Sequence, residues 1–208
     1  MKERRGRRVR RVGFGLIGAG LLLIVGTGAS FLYGQWKGAQ IDRQWHQIVL
    51  AAPPPAVPVD PTAALRHPVD GVDFAIDIPR IGYDHAVQEG VGAMVLLAGP
   101  GHYAGTAWPG QMGNVGVAAH NTYWIHVDSL KVGDEIDLLT RWGNFKYHVT
   151  AFQIVKPSDV AVLAQKPGQH RLTLTTCWPL WAGAFATQRF IISAVQYFPA
   201  VAPPHFHK

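Results

Sequence analysis

Charge is scarce in this sequence: 15% of its residues are charged, and none lies between positions 12 and 33. As a helix, this uncharged stretch would span roughly 33 Å at about 1.5 Å per residue, enough to cross the hydrocarbon core of a bilayer. Residues 1–11, in contrast, carry seven Lys or Arg and one Glu. The positive-inside rule therefore predicts a cytoplasmic tail (1–11), a transmembrane anchor (12–33) and a remainder that lies outside the plasma membrane.

Net charge is absent after residue 11, where 12 basic and 12 acidic side chains balance, so the overall +6 belongs to the tail. A nucleic-acid partner is disfavoured, because such proteins spread basic residues over a folded surface. The lipid bilayer is the partner that this pattern predicts. A cleaved signal peptide is the alternative, with a small-residue site at Thr27–Ser30. The apolar stretch continues through Tyr33, which is longer than an ordinary signal core and favours a retained, single-pass anchor.

Cysteine is nearly absent too, and its one occurrence is Cys177. One cysteine cannot form an intramolecular disulfide, and it cannot build a structural zinc site without several other ligands. A lone thiol outside the membrane is either buried and inert or reactive and functional, and composition leaves both open. The surrounding TLTTCWP has the period of two that is typical of a strand, with Cys177 at its end.

Proline marks the segment between the anchor and the folded domain. Residues 34–69 are predicted to form a juxtamembrane stalk and linker, whose first half has apolar residues at roughly helical spacing. A short helix near the membrane and an ordinary stalk both fit that half. Six prolines between residues 53 and 68 then predict an extended spacer that holds the next domain away from the bilayer.

Long amphipathic helices are lacking from residue 70 onward, where short apolar or alternating runs recur between Gly, Pro and Asn residues. We interpret these runs as strands, including the apolar run 93–101, and RWGN at 141–144 as a hairpin turn. The pattern predicts an all-β barrel or sandwich over residues 70–198, followed by a loose tail at 199–208.

A catalytic cysteine needs an activating group, because only about 3% of an unperturbed thiol is ionised at pH 7. His120 is the best candidate, since it ends an apolar strand and follows two small residues; His102 is the next. Arg189 opens the strand after Cys177, and pairing of the two strands would bring it close to the thiol. A structural His120 and a solvated Arg189 remain the alternatives at this point.

Five motifs, in order, carry a resemblance to a known family. They are IPRIGYD at 78–84, GPGHYAGTAWPGQMGNVGVAAH at 99–120, LKVGDEIDL at 130–138, TLTTC at 173–177 and QRFIISA at 188–194. Together they resemble the sortases, which are membrane-anchored bacterial cysteine transpeptidases with an eight-stranded β-barrel. The 12-residue step from Cys177 to Arg189 and the CWP sequence are most similar to class D. The resemblance therefore implies a sortase-like barrel with short helices, preceded by the transmembrane helix.

The resemblance also implies roles for individual residues. Cys177 would be the nucleophile, His120 the general acid and base, and Arg189 the group that holds the substrate or stabilises the oxyanion. We expect further substrate contacts from neighbours of these residues in the sequence: Asn121, Thr122, Thr176 and Trp178. The bulky Trp178, Trp181 and Phe185 predict an apolar groove wall. Many sortases have an Arg after the catalytic His, whereas this chain has HNTYW at 120–124.

The implied substrates are exported proteins with a C-terminal LPxTG-like sorting signal, cleaved through a thioester acyl-enzyme. The implied acceptor is the amine of a cell-wall precursor or of a pilin lysine. We expect no metal and no cofactor, because no acidic cluster of the kind that binds calcium in some sortases is evident. Two alternatives remain: an exported cysteine hydrolase or other wall transpeptidase, and a non-catalytic, membrane-tethered module that binds the wall. L,D-transpeptidases use a Ser-x-Gly-Cys pattern, whereas this chain has LTTC.

Overall fold

The uncharged N-terminal stretch belongs to one long helix. The computed structural model describes residues 2–60, 62, 64–165 and 167–199, with side chains from residue 10 onward. Helix α1 runs from Lys2 to Ala51. Within the described residues, its Arg10–Ala51 portion is long and apolar enough to cross a membrane. This agrees with the predicted anchor in length and composition.

Eight strands and one further short helix follow α1 in the described part of the chain. The strands are β1 (Val72–Ile78), β2 (Tyr83–Glu89), β3 (Gly101–His102), β4 (Gly113–Ala118), β5 (Glu135–Thr140), β6 (Gly143–Val155), β7 (His170–Trp178) and β8 (Gln188–Phe198). Helix α2 (Ala93–Ala98) lies between β2 and β3. Short 3₁₀-helical turns connect other elements at Pro79–Ile81, Val127–Ser129, Val160–Leu163 and Leu180–Phe185.

The strands form a closed barrel in the order β1-β2-β3-β4-β7-β8-β6-β5, as predicted for the fold class. Pairing of β1 with β5 closes the barrel, which removes the open sheet edges that another chain could pair with. Pairing is antiparallel except at β2–β3 and β4–β7, which are parallel. The parallel pair β4–β7 is the one that matters for the site, because both strands end at the same rim.

The barrel interior is filled by the inward side chains of the alternating strands. Leu172 and Leu174 of β7 are fully buried there, together with Val115 and Val117 of β4. Two tryptophans, Trp124 and Trp142, close the core and are at most 1% exposed. Their burial fixes the loop after His120 and the β5–β6 turn to the barrel body. The predicted hairpin at RWGN is this β5–β6 turn.

One expectation from the sequence is wrong. Residues 93–98 form α2 rather than a strand, since a short apolar run does not distinguish a buried helix from a buried strand. The proline-rich segment, predicted to be an extended spacer, makes contacts with the barrel. It lies along the barrel, where the Val59 amide donates to the Trp142 carbonyl oxygen (3.1 Å) and the Arg141 guanidinium to the carbonyl oxygens of Leu65 and His67 (2.9 and 2.8 Å).

The stalk in front of that segment is helical as far as Ala51 and packs on the barrel. Ile41 and Trp45 of α1 are 4% and 7% exposed, and they join a second apolar cluster with Val72 and Ala75 of β1. The predicted loose tail at 199–208 lies outside the described residues except for Pro199.

Candidate active site

Cys177 lies on the outward face near the end of β7. Thr173 and Thr175 lie on the same face of the strand and make side-chain hydrogen bonds outside the apolar core. The Thr173 hydroxyl donates to the side-chain oxygen of Asn114, and the hydroxyls of Thr175 and Tyr103 form a hydrogen bond with each other (both 2.9 Å). Leu172 and Leu174 face inward, as the period of two requires. Strand β7 ends at Trp178, before Pro179. The thiol is therefore carried by a rigid strand and is half-buried rather than sealed in the core.

The parallel register of β4 and β7 brings His120 beside Cys177. Ala118 is the partner of Thr175, and the Ala119 amide donates to the Thr175 carbonyl oxygen at 3.2 Å. His120 and Cys177 are each two residues beyond that pair, and parallel strands advance in the same direction. The two residues therefore reach the rim of the barrel side by side, with His120 half-buried.

Strand β8 brings Arg189 to the other side of Cys177. The antiparallel register pairs Cys177 directly with Arg189, as the sequence predicted from the short connection. Arg189 as a whole is half-buried, and its Nη1 donates to the Gln188 carbonyl oxygen at 2.9 Å. Three residues predicted from the sequence thus come together at the ends of three neighbouring strands, although they are up to 69 positions apart in the chain.

The surroundings of His120 disfavour the charged form of its imidazole. Partial burial lowers the pKa of its imidazole, and the nearby positive charge of Arg189 lowers it further. No carboxylate in the described part of the chain forms an ion pair with this histidine. A neutral imidazole beside a thiol can accept the thiol proton, which is what nucleophile activation requires.

The four expected substrate contacts occupy different positions. Asn121 is buried, and its side-chain amide donates to the Leu180 carbonyl oxygen, which ties the His120 turn to the β7–β8 connection. Thr122 is exposed at the mouth of the site. Trp178 is half-buried with its ring 5.2 Å from that of Phe190. Thr176 is 2% exposed and faces the barrel interior, so a side-chain contact with substrate is not supported.

An open cleft of about 460 Å³ adjoins the site. Asn121, Thr122, Ile125, Asp128, Leu180, Trp181 and Gly183 line it. Trp181 is 87% exposed and Phe185 89%, both on the connection that follows Cys177. Of the three residues predicted to form an apolar wall, Trp181 lines this cleft, and Ile125 of the His120 turn faces the same cleft.

A second, smaller cleft is lined by His120 and includes residues of α1. Phe31, Gln35, Leu97, His120, Thr122 and Tyr123 line it. The sequence did not predict that the anchor helix approaches the histidine. The Gly34-x-x-x-Gly38 spacing was the available signal, because small residues at this spacing let a helix pack closely on its neighbour.

His102, the second histidine candidate, lies away from Cys177 inside the barrel wall. Its Nδ1 is 2.9 Å from Asp73 Oδ2 and 3.7 Å from Glu89 Oε2, and its Nε2 is 3.0 Å from the Ala107 carbonyl oxygen. The three side chains are close enough to hold a metal ion. However, a hydrogen bond to an acceptor at each nitrogen requires a proton on both, which leaves no lone pair for a metal. This arrangement fits a buried imidazolium–carboxylate cluster with a structural role.

Comparison with known proteins identifies the family. The Sortase domain family model matches residues 76–197, which is more than half of the chain. The chain belongs to the sortase family. Sortase D of Bacillus subtilis (strain 168) is 30% identical over 118 residues, which is 56% of this chain and 60% of the relative. The chain thus matches less than two thirds of that relative's length.

Solved sortase structures share the barrel. The Clostridium perfringens Sortase D5 transpeptidase is 34% identical, with a TM-score of 0.55 over 61% of this chain and 78% of its own. A mutant of sortase E from Streptomyces avermitilis is 31% identical, with a TM-score of 0.55 over 62% of this chain and 90% of its own. The class D resemblance seen in the sequence agrees with the Bacillus and Clostridium relatives. Helix α1 fits a membrane anchor, as expected for enzymes of the cell surface.

Proposed function

We propose that this protein is a membrane-anchored sortase that cleaves an LPxTG-like sorting signal and transfers the substrate protein to an amine. The observation that carries the proposal is the register of three strands. Cys177 on β7 is paired with Arg189 on the antiparallel strand β8. On the other side of β7, His120 lies just beyond the end of the parallel strand β4. A nucleophile, a base and a fixed cation at one rim are the groups that acyl transfer requires.

In the first step, Cys177 Sγ attacks the carbonyl carbon of the threonine in the sorting signal. His120 takes the thiol proton, and the lowered pKa of His120 keeps it available as a base at neutral pH. The negative charge that develops on the carbonyl oxygen is stabilised by the Arg189 guanidinium. The imidazolium then gives its proton to the departing amine of the glycine, and a thioester remains on Cys177.

In the second step, an acceptor amine attacks the thioester carbon. Neutral His120 removes a proton from the attacking amine, and the Cys177 thiolate leaves and is reprotonated. The acceptor is the amine of a cell-wall precursor or of a pilin lysine. The products are a new amide bond and the original enzyme, so atoms and charge balance without a cofactor.

The sorting signal is proposed to bind in the cleft on the Trp181 side. Trp181 and Ile125 offer apolar surface for a leucine and a proline, and Thr122 and Asn121 line the same cleft beside His120. Burying one such side chain contributes roughly 1.5–3 kcal/mol. The protein is proposed to span the bacterial plasma membrane once, through residues 12–33, with its N-terminus in the cytoplasm.

The experiment is a transfer assay with the full chain in nanodiscs. A small library of LPxTG-like peptides is incubated with and without primary amines, and products are identified by mass spectrometry. Cleavage at the threonine with transfer to the amine supports the proposal. The variants Cys177→Ala and His120→Gln should reduce turnover to background while the circular dichroism spectrum of the barrel is retained. Full activity of Cys177→Ala would overturn the assignment.

Other outcomes identify the alternatives. Cleavage without transfer to any supplied amine favours a cysteine hydrolase. No cleavage, together with a Cys177 thiol that reacts with iodoacetamide only in denaturant, favours a non-catalytic wall-binding module. Calcium is not expected to matter, so activity that is lost with a chelator and restored by calcium would contradict the metal-free mechanism.

A further inference from the structure

Helix α1 lies very close to α2 at two glycines. A Cβ atom added to Gly34 would lie 2.3 Å from the carbonyl oxygen of Leu97, and one added to Gly38 would lie 2.4 Å from that of Ala98. Both carbonyls belong to the C-terminal end of α2. Real Cβ atoms do not come this close to backbone oxygen, so any larger residue would displace α1 from α2.

A carboxylate secures the next turns of α1 on strand β2. Asp42 Oδ1 accepts from the Ala86 amide at 2.9 Å, and Oδ2 lies 2.9 Å from His85 Nδ1. The buried Ile41 and Trp45 flank this contact on the same face of the helix. The helix that fits a membrane anchor is thus continuous with one that is fastened to the catalytic barrel.

The Leu97 carbonyl connects α1 to the catalytic histidine. The same oxygen that Gly34 approaches accepts a hydrogen bond from the Tyr123 hydroxyl at 2.8 Å. The Tyr123 amide in turn donates to the His120 carbonyl oxygen at 2.9 Å, which closes the turn that carries the imidazole. A shift of α1 against α2 is therefore passed to the His120 turn through one carbonyl and one tyrosine.

The helix also forms part of the surface around His120. Phe31 and Gln35, on either side of Gly34, line the smaller cleft together with His120 and Thr122. Residues 31–35 coincide with the end of the apolar segment, so this cleft lies at the level where α1 would leave the bilayer.

We propose that Gly34 and Tyr123 are positioning residues of the sortase reaction: α1, seated through Gly34, forms one wall of the His120 cleft and sets the orientation of the imidazole. The proposal rests on the sortase function proposed above. Neither residue touches the reacting atoms; both act through the His120 turn. The anchor helix is accordingly a part of the catalytic site as well as an anchor.

The test compares one substitution at two places on the same helix, in the full chain in nanodiscs. Gly34→Ala forces a clash with Leu97, whereas Gly28→Ala meets nothing within 4 Å. Gly34→Ala should lower kcat at least about tenfold with little change in KM, because displacements near 1 Å can cost about a hundredfold in rate. The pH profile of kcat should also shift in Gly34→Ala. Gly28→Ala should match the wild type in kcat and in its pH profile.

A second variant covers the case in which Gly34→Ala unfolds the barrel, as judged by its melting temperature. Tyr123→Phe keeps the ring but removes the hydrogen bond to Leu97, and it should lower kcat and shift the same pH profile. A wild-type kcat and pH profile in Tyr123→Phe, or in a folded Gly34→Ala, would overturn the proposal.

A readout without substrate separates this proposal from the sortase function. The rate of Cys177 alkylation by iodoacetamide is measured against pH in the wild type, Gly34→Ala, Tyr123→Phe and Gly28→Ala. A pH dependence that changes only in Gly34→Ala and Tyr123→Phe supports the positioning role even if no peptide is cleaved. Identical curves in all four proteins refute it, whatever the transfer assay gives.

Discussion

Arg189 has two separable effects on the site, one through its charge and one through its shape. Its charge lowers the pKa of His120 in addition to the lowering caused by burial. Its planar guanidinium carries N–H donors in a fixed fork that can be aimed at an oxyanion, whereas a lysine ammonium has no such fixed geometry. Substitutions that keep one property and remove the other distinguish these effects.

Arg189→Gln should raise the pKa of His120, because the imidazolium no longer faces a positive charge, and Arg189→Lys should leave it near the wild-type value. NMR titration of the His120 ring in the full chain measures this directly. Both variants should lose about 10²–10³-fold in kcat, the usual effect of removing one oxyanion donor. An unchanged His120 titration in Arg189→Gln would show that the guanidinium is too far from His120 to change the pKa of its imidazole.

That Cys177, His120 and Arg189 come together could be predicted because each lies at the start or end of a strand with a clear pattern. Thr176 could not be placed correctly by adjacency to Cys177, since the strand turns it into the core. Tyr123 gave no local signal, because the role proposed for it depends on a hydrogen bond to Leu97, 26 positions earlier in the chain.

At the scale of elements, the contact between α1 and β2 depends on one carboxylate. Asp42 accepts from a backbone amide of β2 and lies against His85. The chain gives a matched control in Asp84, an exposed carboxylate on the same strand as Ala86. The contribution of the contact can therefore be separated from a general effect of removing negative charge.

Asp42→Ala should destabilise the docked helix by about 1–3 kcal/mol, the usual cost of leaving a buried donor without its partner. Hydrogen exchange at the Ala86 amide should become faster, while Asp84→Ala should leave it unchanged. Equal exchange rates in the two variants would mean that α1 is not fastened to β2 in solution.

The sequence predicts the strands of the barrel better than the elements around them. Strand β7 and the β5–β6 hairpin follow from alternation and turn residues. Helix α2 was mistaken for a strand because six apolar residues do not define a period. The docking of α1 was missed because the apolar positions 41 and 45 indicate a helix without indicating what covers it.

At the scale of the whole molecule, a buried histidine links stability to pH. Burial by itself lowers the pKa of His102, but the interactions with Asp73 and Glu89 outweigh it and raise this pKa to about 9. The unfolded chain has a histidine pKa near 6.5. A raised folded pKa adds stability that is fully present below about pH 6.5 and is lost as the pH rises through about 9.

The free energy of unfolding should therefore fall between about pH 6.5 and pH 9, as measured by urea denaturation at a series of pH values. His102→Gln should flatten this dependence and lower the stability, since breaking a buried ion pair costs about 3–5 kcal/mol. The exposed His126→Gln is the control and should keep the wild-type curve. A flat curve in the wild type would contradict the charged state assigned to His102.

The continuity of α1 with the barrel also bears on how the activity is measured. A chain that starts at residue 53 lacks Ile41, Trp45 and Asp42 and exposes the surface that they cover. The full chain, with α1 packed on the barrel, is therefore the form in which the surroundings of His120 are complete.

The central claim is that Cys177 carries the acyl group, and intact-mass spectrometry of the full chain tests it most directly. After mixing with an LPxTG-like peptide, the protein should gain the mass of the peptide up to its threonine, bound to Cys177 as a thioester. Addition of a primary amine should remove this mass and release the amide product. A full chain that cleaves the peptide without ever carrying an adduct on Cys177, or that carries it in Cys177→Ala, would contradict the account.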